Sequence, residues 1–389
     1  MRILFYADGR SPITLNWLRH WIERGDEVHL VSSFSCETLP GLASLQVVPV
    51  AFSGAKTTGS PASQKKGLLR GTGSLRWRLL VRQWLGPLTI PGAGRALQAA
   101  VECIQPDLVH AMRIPYEGMT AAAANLKRPL LISVWGNDFT LHARSSPWMM
   151  YWTRRAMRAA LALHSDCQRD QLIAQQLGFK RDHPSLVIPG NGGINPDIFH
   201  QPTEVVMQPV VINPRGFRSY VRNDVFFRSI PLVLKQIPEA RFLCSSMAGE
   251  REAEAWIARL GIAHAVQLLP ACSHAQMGDI FRSAAVLVSP STHDGTPNSV
   301  LEGMACGCFP VAGRIESLQE WITSGQNGFL VNSNDPINLA QAILEGLEDT
   351  ELRLMAAKQN AAIIAERADY EHCMEQATTF YQEIIFRGK

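Results

Sequence analysis

At 389 residues, 46% apolar and 18% charged, the chain is too long for one ordinary core and too apolar for disorder, so two globular domains are expected. The net charge of +3 is uneven: residues 1–200 hold 22 Lys/Arg against 13 Asp/Glu, and residues 201–389 hold 15 against 21. No run of about 18 apolar residues predicts a membrane span, and no helix-turn-helix, zinc-finger or RNA-binding aromatic signature accompanies the modest charge, so a nucleic-acid partner is not expected.

The opening MRILFYADGR reads as a strand over 2–6 and a turn, without the apolar core of a signal peptide, and a cytoplasmic location is expected. Leu15, Leu18 and Ile22 give helical periodicity over 12–24, ending at Gly25. Strand-like runs follow at 28–32, 47–50, 107–110, 130–134 and 186–188. Between them, residues 38–101 contain no acid but hold Lys56, Lys65, Lys66, Arg70, Arg76, Arg78, Arg82 and Arg95, with Trp77, Leu79, Leu80, Val81, Trp84 and Leu85 interleaved. That pattern, over 56–82, suits an anionic membrane surface; a solvated loop and a basic helix for an anionic ligand is the alternative.

The second half repeats the grammar with strands at 210–212, 241–245, 265–268, 286–289 and 309–311, after an Asn-, Pro- and Gln-rich linker over 193–209. A helical tail runs from 337 to about 386, interrupted near 368–370. Alternating strands and helices in both halves predict two doubly wound parallel sheets, with ligands at the carboxyl ends of the strands. A dinucleotide fingerprint fails: Gly92-Ala93-Gly94-Arg95-Ala96-Leu97 lacks its third glycine and follows Pro87 and Pro91 where a strand is needed. The eight cysteines are scattered, Cys306 and Cys308 have poor zinc spacing, and reduced core thiols are expected with no metal site.

The segment 291–311, STHDGTPNSVLEGMACGCFPV, carries the chemistry. Asp294 opens a turn of Gly295, Thr296 and Pro297 before an apolar helix of Val300, Leu301, Met304, Ala305 and Cys306. Glu302 lies inside that helix, where a carboxylate is costly without a partner, and sugar hydroxyls are natural partners. Thr296 is the expected N-cap and Pro297 the first helical residue, which leaves the amides of Asn298 and Ser299 for an anion such as a pyrophosphate.

The seven residues between Asp294 and Glu302 resemble the E-x7-E motif of retaining GT-B glycosyltransferases. DLVHAM (107–112), SVWGND (133–138), IPGNGGINPDIF (188–199), INPRGFR (212–218), EGMACGCFPV, GRIESLQEWI and GQNGFLV fall in the order expected of family 4 of those enzymes. The resemblance implies an α/β GT-B architecture, two Rossmann-like parallel-sheet domains facing a central cleft. Residues 1–200 form the acceptor side, 201–369 the nucleotide-sugar side, and a C-terminal helix over 370–389 packs back on the first domain.

It also implies roles. Glu302 accepts from ribose hydroxyls. Asp294, where the family usually has Glu, holds the donor sugar. Arg215 grips the diphosphate; the family lysine is Tyr220 here, and Arg222 is the favoured substitute, with Arg218 nearby. His110 meets the donor sugar, Met112 stands where a second His often occurs, and Arg113 is the next polar candidate. Trp135 and Asp138 serve the acceptor side, with Asp138 also placed to orient His110. Gly9, Gly249, Gly295 and Thr296 lie near the phosphates or base. Bland readings stand beside these: surface arginines, a core His110 on a backbone carbonyl, Asp138 capping a helix and Asp294 capping a turn.

The implied reaction is retaining transfer of a hexose-type sugar from a UDP- or GDP-sugar to a glycan or lipid-linked acceptor. It needs no cofactor, and with no Asp-x-Asp motif it is expected to need no metal. The alternatives are a GT-B sugar-nucleotide epimerase and a silent nucleotide-sugar-binding partner protein.

Overall fold

The computed structural model describes residues 1–53, 82–204, 206–218 and 220–388. Lys56, Lys65, Lys66, Arg70, Arg76 and Arg78 therefore lie outside the described residues. The chain divides into two compact units, one of Met1–Asp166, Asp170–Val187 and Gln376–Lys389, the other of Cys167–Arg169 and Ile188–Glu375.

The first unit is built on seven parallel strands: β1 Arg2–Ala7, β2 Glu27–Ser32, β3 Ser44–Val47, β4 Leu108–Ala111, β5 Leu130–Val134, β6 Ala162–Ser165 and β7 Ser185–Val187. Their order is β3-β2-β1-β4-β5-β6-β7. The order reverses between β1 and β4, and the loops leaving those two strands flank the crevice where open parallel sheets bind ligands. Helix α1 (Pro12–Glu23) starts on a proline, whose fixed φ suits a first turn, and ends before Gly25 at φ +84°. Helix α2 (Ile90–Ile104) contains the glycine run that fails as a dinucleotide turn. A Cβ at Gly94 would lie 3.1 Å from the Ala123 and Ala124 backbone, so this glycine serves helix packing. The core is apolar on the α2 side, with Leu4, Val109, Ile132, Leu97 and Val101 buried. The other face buries Phe5, Trp17 and Trp21 with Tyr381.

The second unit has six parallel strands: β8 Val210–Asn213, β9 Arg241–Cys244, β10 Val266–Leu268, β11 Val286–Ser289, β12 Phe309–Gly313 and β13 Phe329–Val331, ordered β10-β9-β8-β11-β12-β13. Its switch point lies between β8 and β11, and the loops over 214–222 and 290–297 leave it. Helix α3 (Asn223–Leu234) covers one face with Phe226, Phe242, Val286 and Phe309 buried; burying a phenylalanine is worth roughly 1.5–3 kcal/mol. Helix α4 (Asn298–Ala305) covers the other, where Leu287, Leu301 and Met304 pack.

The tail is broken twice rather than once. Asp335 caps α5 (Pro336–Glu348) by accepting from the amides of Ile337 and Asn338 at 2.9 and 3.2 Å. Asp349 then caps α6 (Thr350–Arg367) by accepting from Leu352 at 2.8 Å, so the chain restarts there before the second break at Ala368. Helix α7 (Tyr370–Arg387) begins in the second unit, and from Gln376 its residues belong to the first.

Gly313 closes β12 against the loop that follows β11. A Cβ there would lie 2.1 Å from the Ser291 carbonyl oxygen and 2.3 Å from Ser333 Oγ. Gly313→Ala is expected to displace the Ser291 loop and to cost about 1–3 kcal/mol, the usual range for overpacking. Urea unfolding measures it; an unchanged midpoint would show that this contact yields freely.

Candidate functional site

The loop over 290–297 is held from several sides of the second unit. The Thr292 amide donates to the Tyr220 carbonyl at 2.9 Å, and Ser333 Oγ donates to the Ser291 carbonyl at 2.9 Å. The Asp294 carbonyl accepts from Arg169 Nη1 at 3.0 Å and from Ser317 Oγ at 3.1 Å. These bonds fix the backbone that leads into α4.

The helix start differs by one residue from expectation. Pro297, not Thr296, is the N-cap, with extended backbone, and Asn298 is the first helical residue. Thr296 is buried, and its hydroxyl accepts from the Trp321 indole N–H at 3.0 Å. Proline has no side chain that caps, so the amides of Asn298 and Ser299 remain without an acceptor among the described residues. Around them, Asn298 Oδ1, Ser299 Oγ, Ser289 Oγ and Ser291 Oγ are buried, and none has a hydrogen-bond partner among the described residues. Buried polar atoms are nearly always paired, so four unpaired ones at one strand end and helix start mark a place for a polar ligand.

Glu302 lies one turn further in and is 8% exposed. No hydrogen bond reaches its carboxylate among the described residues. Burial pushes its pKa up to about 7, with Arg215 pulling the other way. Arg215 itself donates from Nη2 to Asp294 Oδ2 at 2.6 Å, and both side chains are largely buried. Burial also pushes the Asp294 carboxyl up, against the pull of Arg215, Arg218 and the Gly295 amide, which donates to Oδ1 at 3.1 Å. The site thus contains two acids, one clamped cation and a set of free amides. It suits a ligand with both hydroxyls and a diphosphate.

Arg218 and Arg222 are separated by their partners. Arg222, expected to stand in for the family lysine, donates from Nε and Nη2 to Asp224 at 2.9 and 2.8 Å. It sits at the start of α3 in the left-handed region, and its fork is already filled by that carboxylate. Arg218 is exposed, bonds the Tyr220 hydroxyl at 3.0 Å, and its charge is felt at Asp294. The nearer second cation is therefore Arg218. Gly249 adopts φ +78° in the turn after β9, where a side chain would be strained. Cys306 and Cys308 are buried, and burial pushes the Cys306 thiol up to about 12 and Cys308 higher, so both are core thiols.

The residues expected on the first unit are arranged differently from expectation. His110 does not open onto a pocket. It is fully buried, with Nε2 2.6 Å from Ser133 Oγ and Nδ1 2.5 Å from the Tyr381 hydroxyl. Ser133 Oγ continues to His164 Nδ1 at 2.9 Å. Burial holds the His110 pKa well below its usual value, so it is a neutral member of a core network. Asp138 is also fully buried and does not bond His110. It accepts from Arg113 Nε at 2.9 Å and from the amides of Trp135 and Ile114 at 3.2 and 3.3 Å. It ties the loops after β4 and β5 together, and Asn137, not Asp138, is the capping residue there. Trp135 is half-buried, its ring edge-on to His164 at 5.5 Å. Gly9 is glycine for packing: a Cβ would meet Cys36 Sγ at 2.5 Å, and its amide donates to Ser32 Oγ at 3.0 Å.

Sequence reasoning missed Arg169, Ser317 and Trp321, which shape the Asp294 loop. It also missed Glu117 on the first unit, a buried acid whose Oε1 accepts from Ser33 Oγ at 2.6 Å. The acid within the otherwise uncharged IPYEGM run was its signal.

Two Rossmann-like units in one chain, the second carrying a buried acid behind an anion-ready helix start, are the parts of a GT-B glycosyltransferase. A family model for a glycosyl transferase 4-like domain matches residues 9–190, and one for glycosyl transferases group 1 matches residues 210–349. The chain belongs to this family, the GT4-like glycosyltransferases. It is 29% identical over 130 residues to a D-inositol 3-phosphate glycosyltransferase of Catenulispora acidiphila, covering 33% of this chain and 31% of the relative. An uncharacterized glycosyltransferase of Methanocaldococcus jannaschii is 28% identical over 134 residues, 34% of this chain and 38% of its own. The chain thus matches about a third of the length of these relatives. The fold is similar over 100% of both chains to sucrose-phosphate synthase of Thermosynechococcus elongatus, with TM-score 0.75 and 15% identity. It is also similar to Anabaena HepE in complex with UDP-glucose, with TM-score 0.70, 16% identity and 99% and 98% coverage.

The raised pKa of Glu302 has a definite sign in stability. An acid near 4.5 when unfolded and near 7 when folded destabilises the folded state as pH rises through that window. Glu302→Gln removes the penalty, so without ligand the variant should exceed wild type at pH 8 by up to about 3 kcal/mol and match it at pH 4. Denaturant unfolding at the two pH values reads this difference; equal stabilities at pH 8 contradict it.

Proposed function

We propose that the protein transfers a sugar from a nucleoside diphosphate sugar to an acceptor hydroxyl, with retention at the anomeric carbon. The observation that carries this is Glu302, a buried carboxylate with no hydrogen-bond donor among the described residues, one turn behind the Asn298 and Ser299 amides, which find no acceptor there. Ribose hydroxyls donate to Glu302, and the diphosphate lies on the amides and the positive end of α4. Arg215, and Arg218 with it, carry the charge that builds on the leaving diphosphate, which is electrostatic catalysis. Asp294, pinned by Arg215, is placed for hydroxyls of the donor sugar. The leaving phosphate assists deprotonation of the acceptor in a front-face reaction, and Arg and amides supply positive charge without a bound cation. A uridine donor is the first to test, since the Anabaena fold neighbour was solved with UDP-glucose. A hexose-type sugar and a glycan or lipid-linked acceptor complete the reading.

Membrane contact belongs to the same proposal. Trp84, Leu85 and Leu88 are exposed on the helical stretch after residue 81, and Trp148 and Tyr151 are exposed on another helix of the first unit, Pro147–Ala159. Exposed aromatic and aliphatic side chains of this kind, with basic residues near in sequence, suit peripheral contact with an anionic membrane. No helix among the described residues is long and apolar enough to cross a membrane.

A thermal-shift screen of UDP- and GDP-sugars should show stabilisation by one base, because a bound donor stabilises by mass action. Glu302→Ala should then weaken that donor by roughly 2–4 kcal/mol in calorimetry, the loss of charge-assisted buried hydrogen bonds. Arg218→Gln should lower transfer more than Arg222→Gln. Unchanged donor affinity in Glu302→Ala removes Glu302 from the site; free epimer formed without acceptor would favour an epimerase.

A further inference from the structure

A second cluster lies at the carboxyl ends of β1, β2, β4 and β5, within the first unit. Two arginines meet there around two aromatic rings, and a third stands near them. The Arg10 guanidinium lies 3.7 Å over the Phe34 ring, and that of Arg82 lies 5.7 Å from the same ring and 5.2 Å from the Tyr116 ring. The third, Arg113, follows β4, and its charge acts with that of Arg82 on Glu117. Two of the three have carboxylate partners. Arg10 forks onto Asp8 at 2.9 and 2.8 Å, and Arg113 bonds Asp138 at 2.9 Å. No carboxylate pairs with Arg82 among the described residues, and residues 54–81 contain no acid. The remaining acid, Glu117, is turned inward onto Ser33 Oγ and the Tyr116 amide at 2.6 and 2.8 Å. The charges of Arg82 and Arg113 reach His142 as well: with burial, they hold its pKa down to about 4, so a neutral ring stands in a positive field.

We propose that this cluster binds a phosphate group on the acceptor, with Arg82 as its main ligand and Arg10 and Arg113 as the pre-set walls. The Arg82 guanidinium, beside the Phe34 and Tyr116 rings and with no carboxylate on it among the described residues, keeps its fork for phosphate oxygens, while Arg10 and Arg113, each held by one carboxylate, add positive charge beside it. The position fits an acceptor, because ligands of open parallel sheets sit beyond the strand ends at the switch point. The exposed Trp84, Leu85 and Leu88 follow Arg82 directly in the chain, which favours a phosphate carried on an apolar chain. Naming the ligand an acceptor rests on the glycosyl-transfer reading; the anion site itself does not.

Calorimetry on the full chain tests it, with geranyl phosphate, geraniol and inorganic phosphate as probes. Geranyl phosphate should bind, geraniol should bind at least tenfold more weakly, and Arg82→Gln should weaken geranyl phosphate at least tenfold. Arg10→Gln should weaken it less, and Arg82→Lys should restore part of the loss. Competition by inorganic phosphate would show that the anion alone suffices, as for a soluble phosphorylated acceptor; lack of competition assigns the phosphate to a lipid. Glu302→Gln should leave geranyl phosphate binding unchanged while weakening UDP, and Arg82→Gln should do the reverse, so the two readings fail separately. Equal binding of geraniol and geranyl phosphate, or an unchanged affinity in both Arg82→Gln and Arg10→Gln, overturns the proposal.

Discussion

The structure of the second unit turns on a carboxylate that the protein buries and does not satisfy. Glu302 sits in a short helix among the core residues Val300, Leu301, Met304 and Ala305. Moving an ionised carboxylate into such a place is expensive unless hydrogen bonds replace its water. The chain provides no such bonds among its described residues: Arg215 is near enough to pull on the pKa of Glu302, yet its Nη2 donates to Asp294. The instability is local, and the proposed ligand with its hydroxyls would relieve it. The unpaired Ser289, Ser291, Asn298 and Ser299 atoms follow the same logic. Five polar groups unpaired among the described residues around one helix start mark a place for a ligand rather than a packing fault.

The Pro297 cap sharpens this. A serine or threonine at that position would accept an amide hydrogen bond and close the helix end. Proline gives the turn its direction but offers no acceptor, so the first amides stay open. Thr296, which has the hydroxyl, is occupied instead by Trp321. The loop is fixed by neighbours and the amides are left for the ligand. The same division of labour holds in the first unit, where Asp138 and Asp8 hold Arg113 and Arg10 in place.

Much of this was legible in the sequence, and the limits have physical causes. Apolar runs located most strands because buried parallel strands must be largely apolar; the sequence reading omitted β6 and β13. The Asp294 and Glu302 acids and the free amides were visible because their chemistry is local, and Arg215 was visible through the family resemblance. His110 was misread because a strand-end histidine has the same sequence whether it points to a crevice or to the core; only the distant Tyr381 and Ser133 decide. Arg222 was preferred over Arg218, and the sequence alone does not reveal that Asp224 fills its fork. The arginine cluster was only half visible: the window without acids was noted, but Phe34 and Tyr116, which stack on its members, are remote from one another in the chain.

The most direct measurement is the backbone amide spectrum of the isotope-labelled protein with UDP added. The account predicts that the Asn298 and Ser299 amides shift and become protected from exchange, together with Gly295, while amides around Arg222 and Asp224 stay in place. UDP binding that leaves Asn298 and Ser299 unshifted would contradict it, because the diphosphate would then lie elsewhere than on the start of α4.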